Sequence, residues 1–287
     1  MTYSIIAKCS ETGQYGVGIQ SHFYGAGGAC WALSGVGVVV TQAMALIDHG
    51  PLGLELMSKG FSASEALEER LKQDPESEIR QVAMIDSSGS AAAHTGSVTI
   101  PAAGHVIGEG FSCQANLMWN DTVPQKMADA FQNSNGNLAE RLLSSLLAGQ
   151  NAGGDIRGMQ SGRILVVNSK KMDKEWEGVL VDINVDDHPN PLEELERLLK
   201  VNSIYSDFQN NGYELELDMS QALEYPEISF WTGISLANKG DFEKGRQLTN
   251  IALRDHAGWK ELLIRCSENN FFGITEELVN KLLNIKK

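Results

Sequence analysis

The order in which hydrophobic periodicity changes constrains the fold of this chain more than any single motif. Up to Val185, segments alternating every second residue give way to pairs of segments with helical spacing and back again, twice. Tyr3–Ala7, the turn Glu11-Thr12-Gly13-Gln14 and Tyr15–Ser21 read as a hairpin, and Ala32–Gln42 as a further β-rich stretch. Two helices follow. Leu52–Lys59 is stopped by Gly60, and the next is opened by Ser62-Ala63-Ser64-Glu65, whose serine and glutamate are spaced to satisfy each other's backbone N–H groups. Ala66, Leu67 and Leu71 give that helix an apolar face before Asp74-Pro75 ends it. Strands return at Gln81–Asp86, Ala91–Thr95, His105–Ile107 and Phe111–Asn116. Helices are expected at Gln125–Phe131 and Leu138–Leu147, with Leu138, Leu142 and Leu146 on one face, and strands again at Arg163–Val167 and Val179–Val185. So many strands with helix pairs between them imply an α+β protein of two sheets, each covered by helices: a four-layer αββα sandwich.

Asp186-Asp187-His188-Pro189-Asn190-Pro191 breaks both periodicities and reads as a boundary. Residues 1–190 then form the main domain and residues 191–287 a helical C-terminal segment. Its helices are expected at Leu192–Lys200, Ile228–Lys239, Phe242–Asp255 and Trp259–Cys266, with a corner at Gly240-Asp241. One such helical pair is too little for a repeat solenoid, so a small bundle is expected.

Charge excludes two classes of partner. A net charge of −14, with no basic stripe, argues against nucleic acid and against an anionic membrane surface. The longest apolar runs, such as Val36–Val40, are of strand length, and no basic-then-apolar leader opens the chain, so a cytoplasmic location is expected. The four cysteines lack C-x-x-C spacing and the six histidines lack H-x-x-x-H spacing, so neither a metal nor a disulfide framework is expected, and no cofactor.

Four segments can carry chemistry. Removal of Met1, which a small second residue permits, would leave Thr2 with both a hydroxyl and a free α-amine. That amine has a reference pKa near ~8 and can take the hydroxyl proton, making a self-contained nucleophile and base. Many ordinary proteins also begin Met-Thr. The second segment is Ser21-His22-Phe23-Tyr24-Gly25-Ala26-Gly27-Gly28 with Thr41-Gln42-Ala43; its glycines fit neither a dinucleotide fingerprint nor a P-loop. The third is His94-Thr95-Gly96 with Gln114-Ala115-Asn116, whose hydroxyl and amides could stabilise an oxyanion or simply face water at a sheet end. The fourth is Gly153-Gly154-Asp155-Ile156-Arg157-Gly158-Met159-Gln160-Ser161. Its carboxylate and guanidinium could clamp a substrate's polar ends, or pair with each other and pin the loop, which is the plainer reading.

Taken in order, Thr2-x-Ser4-Ile5-x-Ala7, Thr41-Gln42-Ala43, His49-Gly50-Pro51-x-Gly53-Leu54, Thr95-Gly96, Ala103-Gly104-His105, Gln114-x-Asn116 and Gly153-Gly154-Asp155-x-Arg157-Gly158-x-Gln160-Ser161 resemble the bacterial domain-of-unknown-function 1028 (DUF1028) family. The resemblance spans about residues 2–190. Phe230-Trp231 through Gly240-Asp241 to Gly258-Trp259-x-Glu261-Leu262-Leu263 resembles a helical segment that some members carry and to which peptidoglycan binding has been attributed. The resemblance implies a sandwich of the N-terminal nucleophile (Ntn) hydrolase type, with Thr2 in the place of the nucleophile. Ala115 stands where the family has glycine, and His22 and His94 also depart from its pattern.

The expected activity is hydrolysis of an amide or similar acyl bond in a small molecule or short peptide. Thr2 would attack, and Thr95 or Asn116 would stabilise the oxyanion together with backbone N–H groups. Ser21, Thr41, Gln42, Gly96, Gln114, Asp155, Arg157 and Gln160 would line the substrate site. The alternative is a non-catalytic small-molecule binding protein using the same pocket. A homodimer is the default expectation for such a chain.

Overall fold

The computed structural model describes residues 2–284. In chain order it contains β1 (Thr2–Lys8), β2 (Tyr15–Ser21), β3 (Cys30–Leu33), β4 (Gly37–Ala43), α1 (His49–Ser58), α2 (Ala63–Lys72), β5 (Arg80–Asp86), β6 (Ala91–Thr95), β7 (Gly104–Gly108), β8 (Phe111–Asn116), α3 (Val123–Asn133), α4 (Leu138–Asn151), β9 (Ser161–Val167), β10 (Val179–Val185) and α5 (Pro191–Asn210). The β-rich stretch Ala32–Gln42 is divided between β3 and β4 by a turn in which Gly35 adopts φ 72° and Val36 N–H donates to Leu33 O at 3.0 Å. Ten strands form two antiparallel sheets, one of six strands in the order β10-β9-β2-β1-β8-β7 and one of four in the order β3-β4-β5-β6.

Strand alternation sorts the side chains into three apolar layers. Tyr3, Ile5 and Ala7 of β1 face outward with Phe111, Cys113 and Ala115 of β8, and pack on Met127 and Phe131 of α3 and on Leu142 and Leu146 of α4. Ile6 faces inward, as do Val17 and Ile19 of β2, to meet Val38, Val40, Ala83 and Ile85 of the other sheet. Val39, Val82 and Met84 point to the far side, where Leu54 and Met57 of α1 and Ala66 and Leu67 of α2 cover them. The layer order is helices, four strands, six strands, helices.

Two outward positions of β2 are glycines because α4 lies directly over them. A Cβ on Gly16 would sit 2.7 Å from Leu142 Cδ1, and one on Gly18 would sit 3.2 Å from Leu146 Cδ1. The predicted capping box of α2 is present: Ser62 Oγ accepts from Glu65 N–H and the Glu65 carboxylate accepts from Ser62 N–H. A second box, Asn137 with Glu140, opens α4. Ala115 lies within extended β8 rather than in a left-handed turn, so its departure from glycine carries no backbone strain.

The chain divides into compact units at residues 1–200 and 201–287, inside α5 rather than at residue 190. Leu192, Leu195, Leu198 and Leu199 explain the difference: the first half of α5 completes the outer layer over the six-stranded sheet. The second unit contains α6 (Met219–Glu224), α7 (Pro226–Asn238), α8 (Phe242–Asp255), α9 (Gly258–Glu268) and α10 (Glu276–Leu282). Its core gathers Phe230, Ile234, Ala252, Leu263 and Leu278. No helix among the described residues is long and apolar enough to cross a membrane.

Candidate functional site

Thr2 opens β1 between two neighbours, opposite Ser21 of β2 and Asn116 of β8. Strand alternation turns Thr2 and Ser4 inward, onto the face where the sheets meet. From there to the end of the sandwich the inter-sheet layer changes from apolar to polar. Ser112, Gln114 and Asn116 come from β8, Gln42 from β4 and Gln81 from β5, and every one of them is buried.

These side chains form one connected chain of hydrogen bonds. Ser112 Oγ donates to Gln114 Oε1 (2.9 Å), Gln114 Nε2 to Ser4 Oγ (2.7 Å), and Ser4 Oγ to Gln42 Oε1 (2.6 Å). Gln42 Nε2 donates to the Thr2 carbonyl oxygen at 3.2 Å and to Gln81 Oε1 at 2.6 Å. Asn116 Nδ2 reaches the same two acceptors, at 3.3 and 2.9 Å. Gln81 Nε2 then donates to Thr95 Oγ1 (2.8 Å) and to the Ala115 (3.0 Å) and Gly104 (3.1 Å) carbonyls. Thr95 Oγ1 pairs with His105 Nδ1 at 2.8 Å. The Thr2 hydroxyl lies at the end of this seam and donates to Ser21 Oγ at 3.0 Å.

The arrangement fixes the backbone of Thr2 from two sides with neutral donors. A buried donor left without a partner costs about 1–3 kcal/mol, so the engaged amide N–H groups resist rearrangement. Of the seam's side-chain amide atoms, Asn116 Oδ1 alone has no partner among the described residues. Ala43 (φ 66°) and Leu117 (φ 57°), the residues that follow Gln42 and Asn116, are both in the left-handed region, at roughly 1–2 kcal/mol each. Non-glycine strain thus sits immediately beside the two amides that hold Thr2.

Asp155 is buried next to this seam and engages its own loop. Its carboxylate accepts from Arg157 N (2.9 Å), Nε (3.0 Å) and Nη2 (2.7 Å), and from His22 N (3.3 Å). The plainer reading of the pair, an internal ion pair pinning the loop, describes this geometry. Burial first, and the Asp155 carboxylate second, push the Tyr3 phenol above its ordinary range, and Tyr3 Oη donates to Gln150 Oε1 at 2.9 Å. Gln160 ties the same loop back: its N–H donates to Ser21 O at 3.1 Å and its Nε2 to Asp187 Oδ1 at 3.1 Å.

The structure therefore brings Thr2, Ser21, Gln42, Gln114 and Asn116 into one seam, extends it to Thr95, and sets Asp155, Arg157 and Gln160 on the adjoining loop. Two residues lie apart from the seam. Thr41 shares the face of Val39, toward α1 and α2, and its hydroxyl has no partner among the described residues. Gly96 is required by packing: a Cβ there would fall 2.2 Å from the Glu78 carbonyl oxygen. Ser4 and Gln81, absent from the sequence-based site, are central to it. Met1, whose removal the proposed chemistry needs, lies outside the described residues. Among the described residues no three His, Cys, Asp or Glu side chains gather as a metal site would need.

These features define an α+β protein of two antiparallel sheets with a buried amide seam built around the start of its central strand. The chain belongs to the family of unknown function DUF1028, whose model matches residues 2–195. It is similar to protein SPO2555 from Silicibacter pomeroyi, a DUF1028 protein of known crystal structure, with 28% sequence identity and a TM-score of 0.65 over 72% of this chain and 92% of that one. No curated protein matches.

Proposed function

We propose that the chain is an Ntn hydrolase-like amidohydrolase that cleaves an amide or similar acyl bond in a small molecule or short peptide, with Thr2 as its nucleophile. The observation that carries this reading is the anchoring of Thr2: two side-chain amides hold its carbonyl, while its hydroxyl donates to the Ser21 hydroxyl. A core threonine does not need two amides for its carbonyl in addition to its strand pairing. A terminal nucleophile does, because its reactive atoms must keep one orientation without a preceding residue to hold them.

The steps follow from the atoms present once Met1 is gone. The Thr2 α-amine takes the proton of Oγ1, directly or through one water, and Oγ1 attacks the carbonyl carbon. The ammonium then protonates the departing amine, and water repeats the sequence on the resulting ester. Gln42 and Asn116 are positioning residues, since their N–H groups are engaged with Thr2 and Gln81. Oxyanion stabilisation falls to backbone N–H groups, and Asp155 with Arg157 shapes the loop beside the site.

The rival reading, a binding protein without turnover, draws support from the burial of Thr2, which is 6% exposed, and from the internal pairing of Asp155 with Arg157. Intact mass and a screen of amide substrates separate the two. The amidohydrolase lacks Met1, loses turnover in Thr2→Ala and keeps a measurable part of it in Thr2→Ser. Turnover unchanged in Thr2→Ala, or full activity in a protein that retains Met1, would overturn the mechanism.

A further inference from the structure

The opposite end of β1 carries a second site. A cleft of about 680 Å³ opens there between Lys8, Cys9 and Ser10 on one side, the turn at Glu109 and Gly110 on another, and Phe131 with Arg141 on a third. The length of β1 places it roughly 20 Å from Thr2.

Its walls carry two cations, Lys8 and Arg141, neither of which is ion-paired among the described residues. Lys8 Nζ donates to the Ser87 carbonyl at 2.7 Å and sits 5.7 Å from the centre of the Tyr15 ring. The Arg141 guanidinium lies 4.3 Å over Phe131 and donates through Nη2 to the Phe131 carbonyl at 3.2 Å, while its buried Nε has no partner among the described residues. Both cations are thus held by neutral groups, in a chain of net charge −14. The acidic groups nearby are Glu109 in the wall, Glu11 in the β1–β2 turn, and Asp86, whose carboxylate accepts from Ser88 of the cleft lining and faces Tyr15.

Cys9 lines the same cleft, with 7% of its surface exposed. Burial works against its ionised form, but the Thr12 hydroxyl, the Thr12 and Glu11 N–H groups and the Arg141 charge outweigh it, so the thiol falls below its ordinary range. The other cysteines behave oppositely. Burial pushes Cys30 up to about 11 and Cys113 up to about 12, and raises Cys266 as well.

We propose that this cleft binds a small disulfide carrying carboxylate groups, held by Lys8 and Arg141, and that Cys9 exchanges with it. The Cys9 thiolate attacks the nearer sulfur, the S–S bond of the ligand breaks, and the far half leaves as a thiolate. Cys9 keeps the near half as a mixed disulfide, and a second thiol reverses the exchange, so no further oxidant is needed.

The test uses the whole protein and two reagents, the dianionic dithiobis(nitrobenzoate) and the neutral dithiodipyridine. One equivalent of the anionic reagent is expected to react rapidly, with peptide mapping of the wild-type adduct placing it on Cys9. Arg141→Gln is expected to slow the anionic reagent roughly tenfold and the neutral one by less than about twofold, since only the first is drawn by the field of the cleft. Lys8→Gln serves as the second variant should Arg141→Gln disturb the fold. An adduct on another cysteine, a Cys9 rate no faster than that of the unfolded chain, or equal slowing of both reagents would overturn the proposal.

Discussion

Replacing Gln81 by leucine probes the seam at its hub. The side chain is fully buried and accepts from Gln42 and Asn116 while donating to Thr95, Ala115 O and Gly104 O. Leucine fills much the same space but removes the shared acceptor. Gln42 and Asn116 each keep their bond to Thr2 O and each lose a partner for the second amide hydrogen. Two orphaned donors at about 1–3 kcal/mol apiece, offset in part by burial of the leucine, give an expected loss of about 3 kcal/mol. For a unit of this size that is about 6–12 °C in melting temperature. Urea unfolding read by hydrogen exchange on peptides from residues 2–200 measures it without counting the second unit. Gln81→Glu adds a pH signature. A carboxylate buried among neutral groups has its pKa raised, so this variant is most compromised at neutral pH and recovers relative to wild type as pH falls toward the ordinary glutamate range. A Gln81→Leu loss below about 1 kcal/mol, or a Gln81→Glu deficit that does not change with pH, would refute the idea that Gln81 is the shared, buried acceptor of the seam.

Two further predictions concern charges. Asp155→Ala should destabilise by about 3 kcal/mol, because it strips the acceptor from Arg157 and from two backbone N–H groups at a buried position; Arg157→Ala, whose side chain is 29% exposed, should cost only about 1 kcal/mol, and denaturant midpoints decide the order. His49 is buried, its Nε2 lies 3.1 Å from Asp74 Oδ2 and its Nδ1 has no partner among the described residues, so burial lowers its pKa despite the neighbouring carboxylate. The unfolded chain then binds more protons, and the His49 contribution, present above the unfolded value near ~6.5, is lost as pH falls toward the lower folded value. His49→Gln should flatten the fall in urea midpoint between about pH 7 and pH 5; an unchanged slope contradicts this.

Much of the fold is written in local patterns. Ala91–Thr95, Phe111–Asn116 and Val179–Val185 coincide with β6, β8 and β10: Phe111–Asn116 alternates apolar and polar throughout, and the other two are short runs set off by turn signals. The short helices α6 and α10 escaped notice; each spans under two turns and offers too few apolar positions for a period to register. At the site, the sequence points to the strand ends but cannot tell which neighbours share a face. Asp155 and Arg157 are two apart in sequence, and only the loop geometry decides that they bind each other. Gln81 reads as an ordinary polar first residue of an apolar strand. Its signal lies in alternation combined across strands: Thr2 with Ser4, Ser112 with Gln114 and Asn116, and Gln81 itself are polar at alternate positions of strands that are otherwise buried. That pattern acquires meaning only when β1, β5 and β8 are stacked.

Alternation along β1 also limits how this protein can change. Thr2 and Ser4 serve the amides while Tyr3 and Ile5 serve the helices, so deleting one residue from the strand would exchange the two sets and present an aromatic ring to Gln42 and Asn116. Length variation among relatives should therefore collect in the connections beyond Lys8, with the distance from that residue back to the threonine held constant.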